Sequence, residues 1–484
     1  MALVWLAANL ILGVLVLASG ATGVWSLVLF CWMNLLFVAL SRLTQRPFFA
    51  GFLLCFFLFL MTYDTFERVF KLSPPQVSEE AHALISAMLV ISLLGLAVGY
   101  FLPIVARRRP PDSRVAASML AADASRGALI SRESVRSAAL LAFALTVPLA
   151  IVSVVLDVLF VRSSSYAATY TESFAASQGG VVGTVLTYSS ELAAVAFAIY
   201  LATMPRLRTA LVPLVLWGMY SGLHLLTGRR AELAVLLLFL LCYGLVRNRI
   251  TPEDPWVTRR RVLPALLLLP LLLVLFAGLE SWRGVGNASG FSLSAVPEFF
   301  HGQGVTVKVL ENVALYGDAL PEQQYLLEFL HRGIPARIAG QTVFEGNSVT
   351  RAMEGGSLSH SLSYLVLGQR YLDGQATGSS YIAEAFVDFG FGGVLVVSIV
   401  IGLLIAWVDR AGGSSVVADA VRFIAIQSIL WSPRGSATGF VSAIVAPSTL
   451  VGVSAIALVA MLNQRLSNEP KRTRSASRAH QRAI

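Results

Sequence analysis

A chain of 484 residues that is 56% hydrophobic and only 13% charged carries more apolar surface than a soluble fold can bury. Its mean hydropathy of +0.73 points to a polytopic membrane protein; basic loops are expected of any such protein, so the net charge of +9 is no argument for a nucleic-acid partner. The three cysteines lie inside apolar runs, and no CxxC, HExxH or Gly-Lys-Ser/Thr phosphate loop occurs, which leaves disulfide, zinc and nucleotide-driven mechanisms without support.

Apolar runs of spanning length fall at 3–20, 24–41, 48–63, 83–105, 138–160, 181–203, 210–227, 231–246, 262–280, 381–408, 422–433 and 439–462. They predict an all-α fold of about twelve transmembrane helices, with 422–433 short enough to be re-entrant. The first run has no basic leader and no cleavage site, and reads as a retained helix. Placing both termini on the cytoplasmic side puts roughly two thirds of the 36 Lys and Arg residues on that face, as the positive-inside rule requires. The chain then divides into helices with basic cytoplasmic loops (1–280), a large extracytoplasmic loop (281–380), C-terminal helices (381–463) and a basic tail without fixed structure (464–484). A loop of such length is functional rather than a mere connection. Its apolar residues at helical spacing within Pro321–Gly333 predict an amphipathic helix, stopped by Gly333 and Pro335.

The densest chemistry lies where that loop enters the membrane. Gly378-Ser-Ser-Tyr381-Ile-Ala-Glu384 leads through Asp388-Phe-Gly390-Phe-Gly-Gly393 into an unbroken apolar run that Asp409-Arg410 closes. Carboxylates at the hydrocarbon edge are costly and usually mark function, so Glu384 and Asp388 are candidate catalytic groups; the alternative is a pair of acids complementing a helix dipole. His360, in the Gly-rich stretch just before, is a candidate general base, with Glu354 a rival. Basic residues on the extracytoplasmic face are not explained by topology. Arg229, Arg230, Arg283 and Arg434 stand at helix ends, and Arg351 and Arg370 in the large loop. Guanidinium forks of this kind suit pyrophosphate, although Arg229, Arg230 and Arg283 could instead pair with Glu232 and Glu280. Tyr381, with Tyr364, Tyr371 and Trp282, offers rings that could stack on sugars or form an interfacial aromatic belt.

The Gly378–Glu384 and Asp388–Gly393 segments resemble the C-terminal signature of O-antigen polysaccharide polymerases, the Wzy-type repeat-unit polymerases, and Gly228-Arg229-Arg230 at a helix end fits the same pattern. The resemblance implies a plan similar to that of GT-C glycosyltransferases, without metal or cofactor, in a bacterial inner membrane with the active site facing the periplasm. It implies undecaprenyl-pyrophosphate-linked glycans as donor and acceptor, transfer with inversion, and a chain-length-regulating co-polymerase and a flippase as partners. An O-antigen ligase or another lipid-linked glycosyltransferase is the nearest alternative. A transporter or flippase should show two similar halves, and none are evident here.

Overall fold

The computed structural model of the protein describes residues 45–64, 78–106, 130–171, 180–264, 300–412 and 415–482, with scattered positions between 9 and 38 and between 267 and 274. The spans expected at 3–20, 24–41 and 262–280 fall wholly or largely outside these residues, as do Arg283, Glu280 and Trp282. The described chain is helical throughout and holds no strand. Eight of its helices are long and apolar enough to cross a membrane, against the twelve expected along the whole sequence.

The first half comprises α1 (Pro47–Leu60), α2 (Glu79–Ala106), α3 (Arg132–Ser163), α4 (Gly180–Ala202), α5 (Leu207–Leu223) and α6 (Ala231–Ile250). Short helices α7 (Val307–Tyr316), α8 (Gly333–Ile338), α9 (Val349–Glu354), α10 (Leu358–Leu367) and α11 (Gln369–Leu372) follow, and then α12 (Tyr381–Val408), α13 (Val416–Trp431), α14 (Gly439–Val445) and α15 (Pro447–Arg482).

Helix α1 has 14 residues and sits in the core, with Phe48, Phe49, Phe52 and Phe56 all at 0% exposure. A helix apolar on every side is a buried one. Its first amides would be orphaned in so apolar a setting, and Asp409, just beyond α12, accepts from Phe48 N at 2.9 Å and Phe49 N at 3.2 Å. The Tyr100 hydroxyl of α2 donates to the same carboxylate at 2.7 Å. Asp409 thereby joins α1, α2 and α12 at one end of the bundle.

Helices α2 and α12 cross closely because small residues face one another: Gly95 and Gly99 on α2, Ser398 and Gly402 on α12. Both pairs have the four-residue spacing that lets membrane helices bring their backbones together. By contrast α3 turns Leu145, Leu149, Leu156 and Leu159 outward, as a lipid-facing helix should.

Four sequence expectations change. The run 422–433 belongs to α13, which starts six residues earlier than that run and, with the turn through Arg434, makes a 19-residue span rather than a short re-entrant one. Arg422 looks like a break in the apolar pattern, but it is buried in an ion pair with Asp419 at 2.7 Å, so the charge does not end the helix. The run 439–462 is divided at Ala446 into α14 and α15, with Pro447 opening the second. In the large loop, Tyr325–His331 forms a 3-10 helix, broken at Leu327, and Gly333 and Pro335 begin α8 instead of ending a helix. Helix α15 also runs on through Arg482, over the tail expected to lack structure; Ala, Arg and Gln there are good helix formers.

Candidate functional site

Residues 224–232 show how the sequence builds the first wall. His224–Thr227 tightens α5 into a 3-10 turn, and Gly228 ends it at φ +86°, a left-handed conformation that suits glycine. This abrupt stop lets Arg229 and Arg230 occupy the whole connection before α6 begins at Ala231, with Glu232 in its first turn. A second wall comes from Ser432–Arg434, a 3-10 turn that ends α13. A third is the segment after α3: Tyr166 and Tyr170 share a hydroxyl hydrogen bond at 2.9 Å, and Tyr170 O accepts from Asn347 N of the large loop at 2.8 Å.

These walls enclose a cavity of about 490 Å³ lined by Arg229, Arg230, Arg434, Glu232, Tyr170 and Trp431, among others. The Arg229 guanidinium stands 5.8 Å from the Tyr170 ring centre, and that of Arg434 5.5 Å from Phe59. Arg434 Nη1 donates to the backbone and side-chain oxygens of Gln303, both at 3.3 Å. A second cavity of about 520 Å³ shares Ala231, Glu232, Trp431 and Arg434 with the first and otherwise mixes apolar and aromatic side chains, Trp217, Tyr220, Val235 and Leu236, with polar and small groups that include Ser359, Ser379 and Ser436, and with Glu328 and Arg332. A third, of about 740 Å³, meets the second at Arg332 and adds Arg337, Arg351, Glu345 and Glu191. Three guanidinium groups lining the first cavity against one carboxylate suit it to a polyanion, and the adjoining cavity, with aromatic rings beside hydroxyl and charged groups, has the mixed lining that a glycan site needs. Among the described residues no group of three His, Cys, Asp or Glu side chains is placed to hold a metal ion.

The structure gives the other candidates different surroundings. Glu384 is 1% exposed, and its carboxylate accepts from Ser379 Oγ at 2.7 Å, Ala437 N at 2.8 Å and Ser436 Oγ at 3.3 Å. It therefore straps the start of α12 to the turn after α13, which brings Gly378–Ser379 and Arg434–Ser436 to one cavity. Asp388 accepts from Tyr325 N at 3.0 Å and Leu326 N at 2.8 Å, capping the first turn of the 3-10 helix in the large loop. Directly after it, Gly390 takes φ +59° and ψ −151° and interrupts α12, a conformation essentially confined to glycine. Both carboxylates are thus spent on backbone and hydroxyl donors. Tyr381 is fully buried, its hydroxyl 2.5 Å from Ser92 Oγ and its ring against Phe52, so it has no face to offer a sugar. Arg370 is exposed on α11 and lines none of these three cavities; Arg351 lines the third, where Nη1 donates to Gly346 O at 2.8 Å.

His360 lies on α10 with Nδ1 3.0 Å from the Tyr371 hydroxyl, and it lines none of the three cavities. Burial, with Arg351 and Arg332 nearby, lowers its pKa from 6.5 to about 3. So weak a base is poorly matched to proton transfer near neutral pH. The depressed value bears on stability. With the folded value depressed, acid protonates the unfolded chain first, so stability falls as pH drops below the unfolded pKa. From pH 7 to 5 the loss is on the order of 1–2 kcal/mol. His360→Asn is expected to flatten the decline of Tm over that interval for the detergent-solubilised protein; an unchanged decline contradicts the assignment.

Sequence reasoning placed Glu232 only as a partner for the arginines and passed over Ser436, Gln303 and Glu328. A carboxylate two residues after Gly228-Arg229-Arg230 was the one available signal; the others reach the cavities only through folding. No curated protein and no solved structure matches the chain. The family model for the O-antigen polysaccharide polymerase Wzy matches residues 1–465, nearly the whole length, and the chain belongs to that family of multi-pass membrane polymerases.

Proposed function

We propose that this polymerase of O-antigen repeat units transfers a growing glycan from polyprenyl pyrophosphate to the non-reducing-end sugar of a second lipid-linked repeat unit, with inversion, on the extracytoplasmic face of the inner membrane. The observation that carries the reading is the arginine cradle sharing a wall with a second, mixed cavity: Arg229, Arg230 and Arg434 hold the pyrophosphate, and the reacting sugars occupy the space beyond Trp431 and Arg434. Energy comes from the glycosyl pyrophosphate bond, and the guanidinium groups stabilise the charge that develops as it leaves. His360, Glu384 and Asp388 keep the walls in place, and Arg351 serves the third cavity. The undecaprenyl carrier and a GT-C-like plan accord with helices that end beside the cavities. The sidedness accords with charge: Arg46 and Arg249 lie at the Asp409 end of the bundle, and the cavities lie at the opposite end of α12.

Deletion of the gene is expected to leave surface glycan capped with a single repeat unit, and the wild-type gene to restore the ladder on a gel. Full-length polymer held on the lipid carrier, with none on its acceptor, would instead identify a ligase.

A further inference from the structure

Four acidic or imidazole groups near the cavities each hold a protein partner. Glu384 and Asp388 accept from backbone and hydroxyl donors, His360 is bonded to Tyr371, and Glu328 is ion-paired with Arg332. Glu232 differs. It lines both the arginine cradle and the adjoining cavity, and its Oε2 is shielded from solvent without any hydrogen-bond partner. A buried carboxylate oxygen without a donor is costly and calls for an explanation. A place in the first turn of α6 explains a negative charge there, because it complements the helix dipole, but it does not explain an oxygen left without a proton to accept. The groups that face it electrostatically are Arg229 and Tyr170 from the cradle and His224 from the turn after α5, with Tyr220 of α5 also within reach.

We infer that Glu232 is the general base of the glycosyl transfer, taking its proton from a hydroxyl of the acceptor sugar; the inference rests on the function proposed above. The oxygen of that hydroxyl bonds to the anomeric carbon of the donor while its proton passes to Glu232 Oε2. The bond from the anomeric carbon to the pyrophosphate oxygen breaks, and its electron pair leaves with the lipid pyrophosphate, which Arg229, Arg230 and Arg434 hold. The location suits the step: the single carboxylate common to both cavities stands where donor phosphate and acceptor hydroxyl must meet.

The test uses purified full-length protein in proteoliposomes, with lipid-linked glycan extracted from cells lacking the gene as both donor and acceptor. Glu232→Gln is expected to lower turnover by about 100-fold or more, with KM little changed, and Glu232→Asp to retain part of the rate. Added formate is expected to restore turnover in Glu232→Ala, a readout that a merely structural carboxylate would not move. Thermal melting of each variant identifies any that fails to fold, and Glu232→Asp keeps the question open to refutation in that event. Wild-type protein that makes no polymer from this lipid overturns the function proposed above. Wild-type protein that polymerises, with Glu232→Gln within a few-fold of it or with Glu232→Ala insensitive to formate, overturns the assignment of the base alone.

Discussion

Arg434→Ala is expected to abolish the polymer ladder while leaving the protein at normal abundance in the membrane. Arg434 is the guanidinium common to the cradle and the adjoining cavity, placed there by the turn that ends α13. In the reaction proposed above, negative charge would grow on the departing pyrophosphate beside Arg434, which also stands over the rings of Phe59 and Trp431. Removing one preorganised donor of this kind costs about 100- to 1,000-fold in rate, or roughly 3–4 kcal/mol of transition-state stabilisation. Arg434→Lys should fall between, because an ammonium keeps the charge but loses the planar fork that grips two oxygens. Arg229→Ala should resemble Arg434→Ala, since its side chain forms the facing wall over Tyr170. Quantified surface glycan, normalised to protein in the membrane fraction, is the measurement. A ladder of normal length and intensity in Arg434→Ala removes this arginine from the mechanism.

Gly99→Val is expected to remove folded protein altogether. A Cβ at Gly99 would lie 2.0 Å from the carbonyl oxygen of Ile399 and 2.8 Å from its carbon. On the facing helix, a Cβ at Gly402 would meet Leu96 O at 2.5 Å and Tyr100 N at 2.8 Å. These obstacles are backbone atoms of α2 and α12, so no rotamer change relieves them and the two helices must separate. Overpacking a core costs about 1–3 kcal/mol even where side chains can adjust, and here they cannot. The separation would also carry away Tyr381, Ser92 and Ser398, whose hydroxyls meet between the same helices. Gly218→Val is the matching control, because a Cβ there meets nothing within 4 Å. Detergent extracts run on size exclusion should show a monodisperse peak for Gly218→Val and none for Gly99→Val. A normal peak for Gly99→Val would refute the close crossing.

Composition and periodicity by themselves determined the all-helical membrane class, because apolar runs and their length follow from the backbone's need to satisfy its own hydrogen bonds in lipid. Local sequence also determined the arginine pair of the first wall: Gly228 ends a helix and leaves Arg229 and Arg230 nowhere to go but the connection. The signature around Gly378–Gly393 carried the resemblance to the family, and the four-residue spacings Gly95/Gly99 and Ser398/Gly402 elsewhere in the sequence were legible without being read. Residue type alone could not separate a catalytic carboxylate from a structural one, since Glu384 and Asp388 look identical in sequence whether they face a substrate or a backbone amide. Only the tertiary structure decided that both are bound to amides 53 and 62 residues distant in the chain, that Tyr381 is sealed between α2 and α12, and that Arg422 hides its charge against Asp419. It also decided that Arg434, some two hundred residues from Arg229, completes the same cradle. The physical reason is common to all four: a side chain's role depends on which donors and charges folding brings to it, and those partners come from parts of the chain that no local pattern connects.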